Sequence, residues 1–446
     1  MDFEIENRQA AMIAKPRVPF RWEWLLSRFF TLVLCAAMIV AAVPQAPRAA
    51  GMKYFGPYLV YNYKTKQVYE QHKAFDLWHP ASLTKMMTAY TVFREIKAGR
   101  ISQLSPIKVS QNALNQPPSK MGFPVGTVLN VDAALKIIMV KSANDIALAI
   151  AESVGGSEEA FVGKMNAYAR EIGMKRSHFV NPHGLHDPNQ YVTAYDMAVL
   201  ADRLYTEFPK YAGYFAIPAI KVGKRTLSNH NPLLQRFPGT MGMKTGFVCA
   251  SGLNIVASAK TRGKTLIAVV LGGRTGRERN VEAAKLLYDA SQKGFAFALP
   301  KLKTLKPNGP VNSQPTDIRA QVCGKQKPNF DAVGEDEADN LFAVKQPSLS
   351  ELEKRYLLEK GTNTRVVPVV LGNATGPDPF GLVAPEPPPM IAQGDGGPDE
   401  ASAYATGVDA SAAATAAANA AGVPTQDVFQ LNGKAIAVPT PRPMMQ

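Results

Sequence analysis

Cysteine and histidine are both scarce in this chain of 446 residues, which has three of the first and six of the second. Cys249 and Cys323 are the two cysteines in the body of the chain, and two cysteines so far apart predict no disulfide framework. A body of roughly 250 residues can bury a hydrophobic core without cross-links. We therefore expect Cys249, which lies in an apolar stretch, to be a small buried side chain.

The few histidines give little support for a metal site. His183 and His186 stand three positions apart in HGLH, a spacing that resembles a pair of metal ligands. Gly184 between them, and the lack of a neighbouring set of carboxylates, favour a loop instead. The sequence predicts no metal and no cofactor.

The apolar run at 29–43, FFTLVLCAAMIVAAV, has 15 residues and falls short of the roughly 20 that span a bilayer. Arg17, Arg21 and Arg28 precede it, and the small-residue stretch PQAPRAA follows it. This pattern is typical of a secretory signal peptide with a long basic region. We predict a signal peptide over 1–50, cleaved between Ala46 and Ala50, and export to the periplasm or the wall side of the inner membrane. An uncleaved N-terminal anchor is the alternative.

Charge is unevenly distributed along the chain. Residues 51–300 contain 31 Lys and Arg against 16 Asp and Glu, whereas residues 301–446 contain 13 against 16. A basic body suits an acidic polymer or a membrane surface, so peripheral association with the membrane or the wall is left open. Beyond net charge, no nucleic-acid-binding pattern is present, and we expect no nucleic-acid partner.

The order of hydrophobic patterns predicts an α+β fold. A strand, YLVYNYKT, comes first, and apolar residues at helical spacing then run from Val131 to Gly156. GLNIVASAKT and KTLIAVVLGG follow as strands, which the turn RGK joins as antiparallel neighbours. We predict a mostly antiparallel sheet flanked by helices, with an inserted helical subdomain, over 51–300. Residues 301–446 form a Pro- and Ala-rich tail, expected to be largely disordered or loosely attached, with a short helix at 349–360.

Three short motifs carry the chemistry. Ser82 and Lys85 lie at i and i+3 in HPASLTKMMTAY, so a helix places both on one face. Ser142 and Asn144 follow in KSANDIAL, and Lys244, Thr245 and Gly246 in GMKTGF. An S-x-x-K pattern alone occurs often by chance. The three patterns in this order form the signature of serine penicillin-interacting enzymes.

The chain resembles the D-alanyl-D-alanine carboxypeptidases, the low-molecular-mass penicillin-binding proteins of bacteria. Four segments resemble sequences of that family: PASLTKMMTAY, SANDIALAIAE, NPHGL and MKTGFVCASGLNIVASA. The resemblance covers roughly residues 52–300 and not the tail. It implies removal of the terminal D-alanine from peptidoglycan pentapeptides, and acylation by β-lactam antibiotics.

The resemblance also implies roles for the motif residues. Ser82 would be the nucleophile that forms the acyl ester, and Lys85 its general base. Burial and the nearby Lys244 would lower the pKa of Lys85. Ser142 would relay a proton to the leaving amine, and Asn144 would orient Lys85 and the substrate.

The strand motif would bind the substrate. Lys244 and Thr245 would hold the terminal carboxylate, and Gly246 would let the substrate lie against the strand edge. The backbone N–H groups of Ser82 and Phe247 would form an oxyanion hole. Family members often have a histidine where this chain has Phe247, so any side-chain role there is lost. Arg274 in LGGRTGRER matches a family arginine near the site.

Three other functions remain to be weighed. A β-lactamase needs a deacylating glutamate between the second and third motifs, and Glu171 lacks the E-x-x-L-N context. A catalytically silent wall-binding module would not need Ser82, Lys85 and Lys244 intact. A D,D-endopeptidase of the same family uses the same residues, so the sequence does not separate it from a carboxypeptidase.

Overall fold

The computed structural model describes residues 56–294, 298–324, 347–361, 364–383, 425–431 and 434–439. The predicted signal peptide at 1–50 lies outside these residues. Within the described part of the chain, none of the helices combines the length and hydropathy needed to cross a bilayer.

Twelve strands are described, and they form one large and three small sheets. In chain order they are β1 (Tyr58–Asn62), β2 (Val68–His72), β3 (Pro106–Lys108), β4 (Val128–Asn130), β5 (Ala219–Val222), β6 (Arg225–Ser228), β7 (Thr240–Val248), β8 (Gly252–Thr261), β9 (Lys264–Gly273), β10 (Val366–Val369), β11 (Thr425–Leu431) and β12 (Lys434–Pro439).

The helices fall mainly between β2 and β5, as the predicted helical insertion requires. They are α1 (Thr84–Lys97), α2 (Gln111–Leu114), α3 (Val131–Val140), α4 (Asn144–Gly155), α5 (Glu158–Ile172), α6 (Ala194–Glu207), α7 (Leu233–Arg236), α8 (Gly276–Gln292), α9 (Arg319–Val322) and α10 (Pro347–Tyr356). The helix expected at 349–360 corresponds to α10.

The main sheet has five strands in the order β2-β1-β9-β8-β7, and every neighbouring pair is antiparallel. The predicted β8–β9 hairpin is confirmed, with Thr261 opposite Lys264. Arg262 and Gly263 form its turn at φ 47° and 75°, the left-handed pair that a two-residue hairpin requires.

Side chains alternate between the two faces of this sheet, and each face is covered. Leu59, Tyr61 and Val269 belong to the larger core with α1, α3, α4 and α6. Val60 and Val270 belong to a second core with α8. This two-residue alternation places a helical layer on each side of the sheet. The α+β fold with its helical insertion is confirmed.

The helical stretch predicted from Val131 to Gly156 is not continuous. It forms two helices, α3 and α4, with a break at 141–143. Ser142, at the centre of the break, has φ 62°, a left-handed conformation that no α-helix continues through. The apolar spacing persists on both sides because both helices face the same core, so the periodicity conceals the break.

Several described segments beyond residue 300 contact the preceding domain, whereas much of the tail predicted to be disordered lies outside the described residues. The carbonyl of Pro300 accepts the N–H of Val68, and Gln67 pairs with Lys301. β10 adds in parallel to β5. In addition, Leu357 is buried in the core under α8. The domain boundary at residue 300 stays a prediction.

Cys249 and Cys323 form a disulfide bond across 74 residues. The expectation that Cys249 is buried is confirmed, at 1% exposure, but the expectation of no cross-link is wrong. The pair depends on the path of the chain after residue 300, which returns beside the end of β7. Thr316 there pairs with Trp78, and Ile318 donates to the carbonyl of Ala250.

Candidate active site

Ser82 lies in a single 3₁₀ turn, Ala81–Leu83, immediately before α1. Ala81 has φ 49°, so a left-handed residue directs the chain into the turn. Gly184 packs beneath it, and a Cβ at that position would stand 2.0 Å from the carbonyl oxygen of Ala81. The turn is therefore held in a conformation that leaves Ser82 partly exposed while its neighbours are buried.

Lys85 is one helical turn further along the chain and is fully buried. Its Nζ lies 3.0 Å from Ser82 Oγ, 2.8 Å from Asn144 Oδ1 and 2.6 Å from the carbonyl oxygen of His183. The structure thus brings together two of the three sequence motifs around one amine. α1 supplies the spacing, since residues at i and i+3 share a helix face.

Asn144 and Ser142 border the break between α3 and α4. Asn144 Nδ2 donates to the carbonyl oxygens of Pro117 and Pro118, at 3.0 Å and 3.1 Å, which fixes its Oδ1 toward Lys85. Ser142 is 3% exposed, and its Oγ has no hydrogen-bond partner among the described residues. A buried hydroxyl without a partner is costly, and such groups are often retained for function.

The third motif lies on β7, at one edge of the main sheet. Lys244 and Thr245 are each 1% exposed, and Lys244 Nζ donates to the carbonyl oxygen of Thr245. A Cβ on Gly246 would stand 2.7 Å from the backbone nitrogen of Ser82. The strand therefore lies directly against the nucleophile turn. The oxyanion role of the Ser82 and Phe247 N–H groups stays a prediction.

Arg274 is placed differently from the three motifs. It follows the end of β9 and forms an ion pair with Glu278 on α8 at 2.9 Å, with its own side chain 45% exposed. Its backbone N–H also donates to Glu278. A substrate-binding role for Arg274 stays a prediction, and its contacts with Glu278 give that role no support.

Asn254 is a residue of the site that sequence reasoning missed. It is fully buried on β8, opposite Gly246. Its Nδ2 donates to the carbonyl oxygens of His79 and Pro80, at 3.0 Å and 3.1 Å, and its Oδ1 accepts the N–H of Gly272. The available signal was an asparagine inside the apolar strand GLNIVASA, because a buried amide needs partners.

His183 contributes its backbone rather than its ring to the site. Burial, and to a lesser extent the neighbouring Lys85, lowers the pKa of His183 to about 3, so the imidazole is neutral at physiological pH. Its Nδ1 accepts the N–H of Leu185. The second histidine of HGLH, His186, packs edge-on against His79. These contacts fit a loop that supports the site, as expected.

The arrangement of a serine, a buried lysine, a hydroxyl at a helix break and a cationic strand edge defines a serine acyl-transfer enzyme of the penicillin-interacting class. The family model for peptidase S11, D-alanyl-D-alanine carboxypeptidase, matches residues 49–275. The chain belongs to this family, and it is a serine-type D-alanyl-D-alanine carboxypeptidase.

Curated relatives agree with the family assignment. D-alanyl-D-alanine carboxypeptidase DacA of Haemophilus influenzae is 33% identical over 303 residues, covering 67% of this chain and 73% of the relative. DacF of Bacillus subtilis is 37% identical over 223 residues, or 49% and 56%. DacA of Escherichia coli K12 is 32% identical over 274 residues, or 58% and 67%.

Solved structures show the same fold. The carboxypeptidase DacD from Francisella tularensis has a TM-score of 0.52 and 32% identity, covering 55% of this chain and 72% of that one. Penicillin binding protein 6B from Escherichia coli has a TM-score of 0.52 and 32% identity, covering 56% and 80%.

Proposed function

We propose that Ser82 is the nucleophile of this carboxypeptidase and Lys85 its general base. The hydrogen bonds of Lys85 carry this assignment. A buried lysine that acts as a base is a neutral amine, with two hydrogens and one lone pair. Asn144 Oδ1 and the carbonyl oxygen of His183 can accept these two hydrogens, and the lone pair can then point toward Ser82 Oγ, 3.0 Å away. The amine is thereby oriented to accept the hydroxyl proton.

The acylation step follows from this geometry. Ser82 Oγ attacks the carbonyl carbon of the penultimate D-alanine, and its proton passes to Lys85. The bond to the terminal D-alanine breaks as the proton reaches the leaving amine. Ser142 is the relay, since its buried Oγ has no other partner in the described part of the chain. Water then hydrolyses the acyl ester and frees Ser82.

The substrate lies along β7. As an edge strand of the main sheet, β7 offers backbone groups to an extended peptide. Lys244 and Thr245 hold the terminal carboxylate by a cation and a hydroxyl. The N–H groups of Ser82 and Phe247 stabilise the oxyanion, and each such donor contributes about 3–4 kcal/mol in measured cases.

β-Lactams acylate the same serine, as the names of penicillin-binding relatives suggest. Deacylation is slow, because the candidate for a deacylating carboxylate, Glu171, is 58% exposed and paired with Arg94. It also lines a cavity between α5 and α6 rather than the site around Ser82. This arrangement supports a carboxypeptidase over a β-lactamase.

The protein acts outside the cytoplasm, on the wall side of the inner membrane. The disulfide between Cys249 and Cys323 supports this location, because such bonds persist in oxidising compartments. The N-terminal pattern of basic and apolar residues is the second argument.

Fluorescent penicillin labelling tests the assignment of roles. We expect wild-type protein to label and Ser82→Ala to remain unlabelled. Lys85→Arg, which keeps the charge but cannot act as a base, should label about 10²–10⁴ times more slowly. Persistent labelling of Ser82→Ala would contradict the nucleophile. Release of D-alanine from a pentapeptide and from a cross-linked dimer, followed by mass spectrometry, separates carboxypeptidase from endopeptidase activity.

A further inference from the structure

A cavity of about 980 Å³ lies between the end of α5, the face of α6 and the segment that follows residue 300. None of the motif residues around Ser82 lines it. The segment at 301–305 forms one wall, with Leu302 and Leu305 buried against the main core. A concave site of this size is large enough to hold several rings of a ligand.

The floor of the cavity is apolar and aromatic. Phe75 and Tyr195 stack with their ring centroids 4.6 Å apart and their planes at 22°, and both rings line the cavity. Both residues are only half-buried. The parts of these rings that stay accessible offer an apolar contact surface to a ligand with apolar faces.

The charge around the cavity is positive. Six basic side chains line it against three acidic ones, Glu171, Asp196 and Asp202. Each of the three acids is already engaged: Glu171 with Arg94, Asp202 with Lys66, and Asp196 with Ser177 and the N–H of Arg176. Because Lys66 pairs with Asp202 and Arg203 pairs with Glu207, the positive charge of the rim comes from the other four basic residues, Lys175, Arg176, Lys301 and Lys303.

Three lysines of the rim are available to a ligand. Lys175, Lys301 and Lys303 are exposed, and no carboxylate of the described residues lies within ion-pair distance of them. A cleft lined by one sign of charge concentrates ligands of the opposite sign. The occupant is thus expected to be anionic as well as ring-bearing.

We propose that this cavity binds a glycan strand through its sugar rings and through the carboxylates of the stem peptides that the strand carries. Pyranose rings have apolar C–H faces that pack on Phe75 and Tyr195. The carboxylates of the attached stem peptides meet Lys175, Lys301 and Lys303. The inference rests on the proposed function, since it gives the same enzyme a second contact with its polymeric substrate. That contact favours stem peptides on a glycan over the same peptides free in solution.

The test compares two charge-matched double variants of the full chain. Lys175→Glu with Lys303→Glu reverses the rim of the cavity. Lys224→Glu with Lys260→Glu is the control, because both lysines are exposed and neither lines the cavity. Each protein also carries Ser82→Ala, so that binding to soluble, uncross-linked glycan strands with pentapeptide stems is measured without turnover.

We expect the rim variant to bind the strands about tenfold more weakly at low salt, and the control to bind like the parent. If the rim variant binds as tightly as the parent, or if the control loses as much affinity as the rim variant, the proposed site is wrong. Polyglutamate is the second probe. Should it bind as tightly as the glycan, charge alone is recognised and the glycan assignment is wrong.

Aromatic variants test the floor separately. Tyr195→Leu should weaken glycan binding, whereas Tyr195→Phe should not. Thermal melting of both variants shows whether the fold is retained. With Ser82 intact, the rim variant should lose about tenfold in kcat/KM on the polymer and nothing on a free pentapeptide. If the wild-type protein is inactive on the free pentapeptide, the proposed function is wrong. The binding comparison would still show whether the cavity binds the glycan strand.

Discussion

The backbone of Gly246 lies in direct contact with the backbone of Ser82. A Cβ at position 246 would stand 2.7 Å from the Ser82 nitrogen and 2.9 Å from that of Leu83. Neither neighbour is a flexible side chain that could turn aside. The substrate-binding strand and the nucleophile turn are therefore fitted to each other at the level of main-chain atoms, where the oxyanion is expected to form.

Replacing Gly246 with alanine should slow acylation sharply. The methyl group would push β7 away from the Ser82 turn and separate the oxyanion donors, so we expect a loss of about 10²–10³ in the acylation rate. Stopped-flow measurement with a chromogenic β-lactam provides the rate. Gly163→Ala is the control, since a Cβ there meets nothing within 4 Å. Near-wild-type acylation by Gly246→Ala would disprove the contact.

Substituting Asn254 with aspartate should disturb the residues that immediately precede the nucleophile turn. The carboxylate still accepts the N–H of Gly272, but it loses both donors and faces the carbonyl oxygens of His79 and Pro80. We expect a loss of about 1–3 kcal/mol in the free energy of unfolding, together with slower acylation. Chemical denaturation and β-lactam kinetics measure the two effects. Unchanged acylation in the folded variant would show that Asn254 does not position Ser82.

Glu95 should contribute stability that depends on pH. Burial raises its pKa, but hydrogen bonds from Arg100, Lys164 and Tyr168 overcome this effect and lower the pKa to about 2. The folded state therefore holds the proton more weakly than the unfolded state does. The stabilisation is complete above the usual glutamate pKa and is lost as pH falls toward 2.

Glu95→Gln should accordingly destabilise the protein by at most about 3 kcal/mol at pH 7, and by progressively less as the pH falls below 4.5. Urea denaturation at a series of pH values checks the slope. Glu171→Gln is a suitable control, because its ion pair with Arg94 is more exposed and such pairs contribute little. If the loss in the free energy of unfolding caused by Glu95→Gln stays constant down to pH 3, the shifted pKa of Glu95 is contradicted.

Removing the disulfide should destabilise the protein without abolishing the chemistry. Cys249→Ser with Cys323→Ser opens a loop of 74 residues, for which chain entropy predicts a loss of about 4 kcal/mol. Thermal melting under oxidising and reducing conditions measures the effect. Reducing agent should lower the Tm of the wild type and leave that of the double variant unchanged. An equal response in both proteins would argue against the bond.

The three sequence motifs of the candidate site were recognisable because each consists of potentially reactive residue types in a short pattern. Ser142 shows the limit of this approach. Its motif was visible, but the helix break in which it lies was not, since apolar spacing continues through α3 and α4. The left-handed conformation of one residue leaves no trace in periodicity.

Long-range contacts were the least predictable part of the structure. The pairing of Cys249 with Cys323 depends on where the chain travels after the domain, which local sequence does not encode. Asn254 presented a related difficulty. Its partners are backbone carbonyls of His79 and Pro80, and backbone groups look alike at every position of a sequence. The α+β order, by contrast, followed from hydrophobic patterns that each element carries by itself.

The main sheet has two outer strands, β2 and β7, and any exposed edge invites an extended chain to pair with it. At β2, the protein's own residues Pro300 and Lys301 occupy that position. At β7, a peptide that adds itself to the sheet meets Ser82. In the proposed mechanism, a strand that bound there would be presented to the nucleophile, and Lys244 and Thr245 would favour a strand that ends in a carboxylate. The edge that invites association would thus also be the edge at which the associated chain is cut.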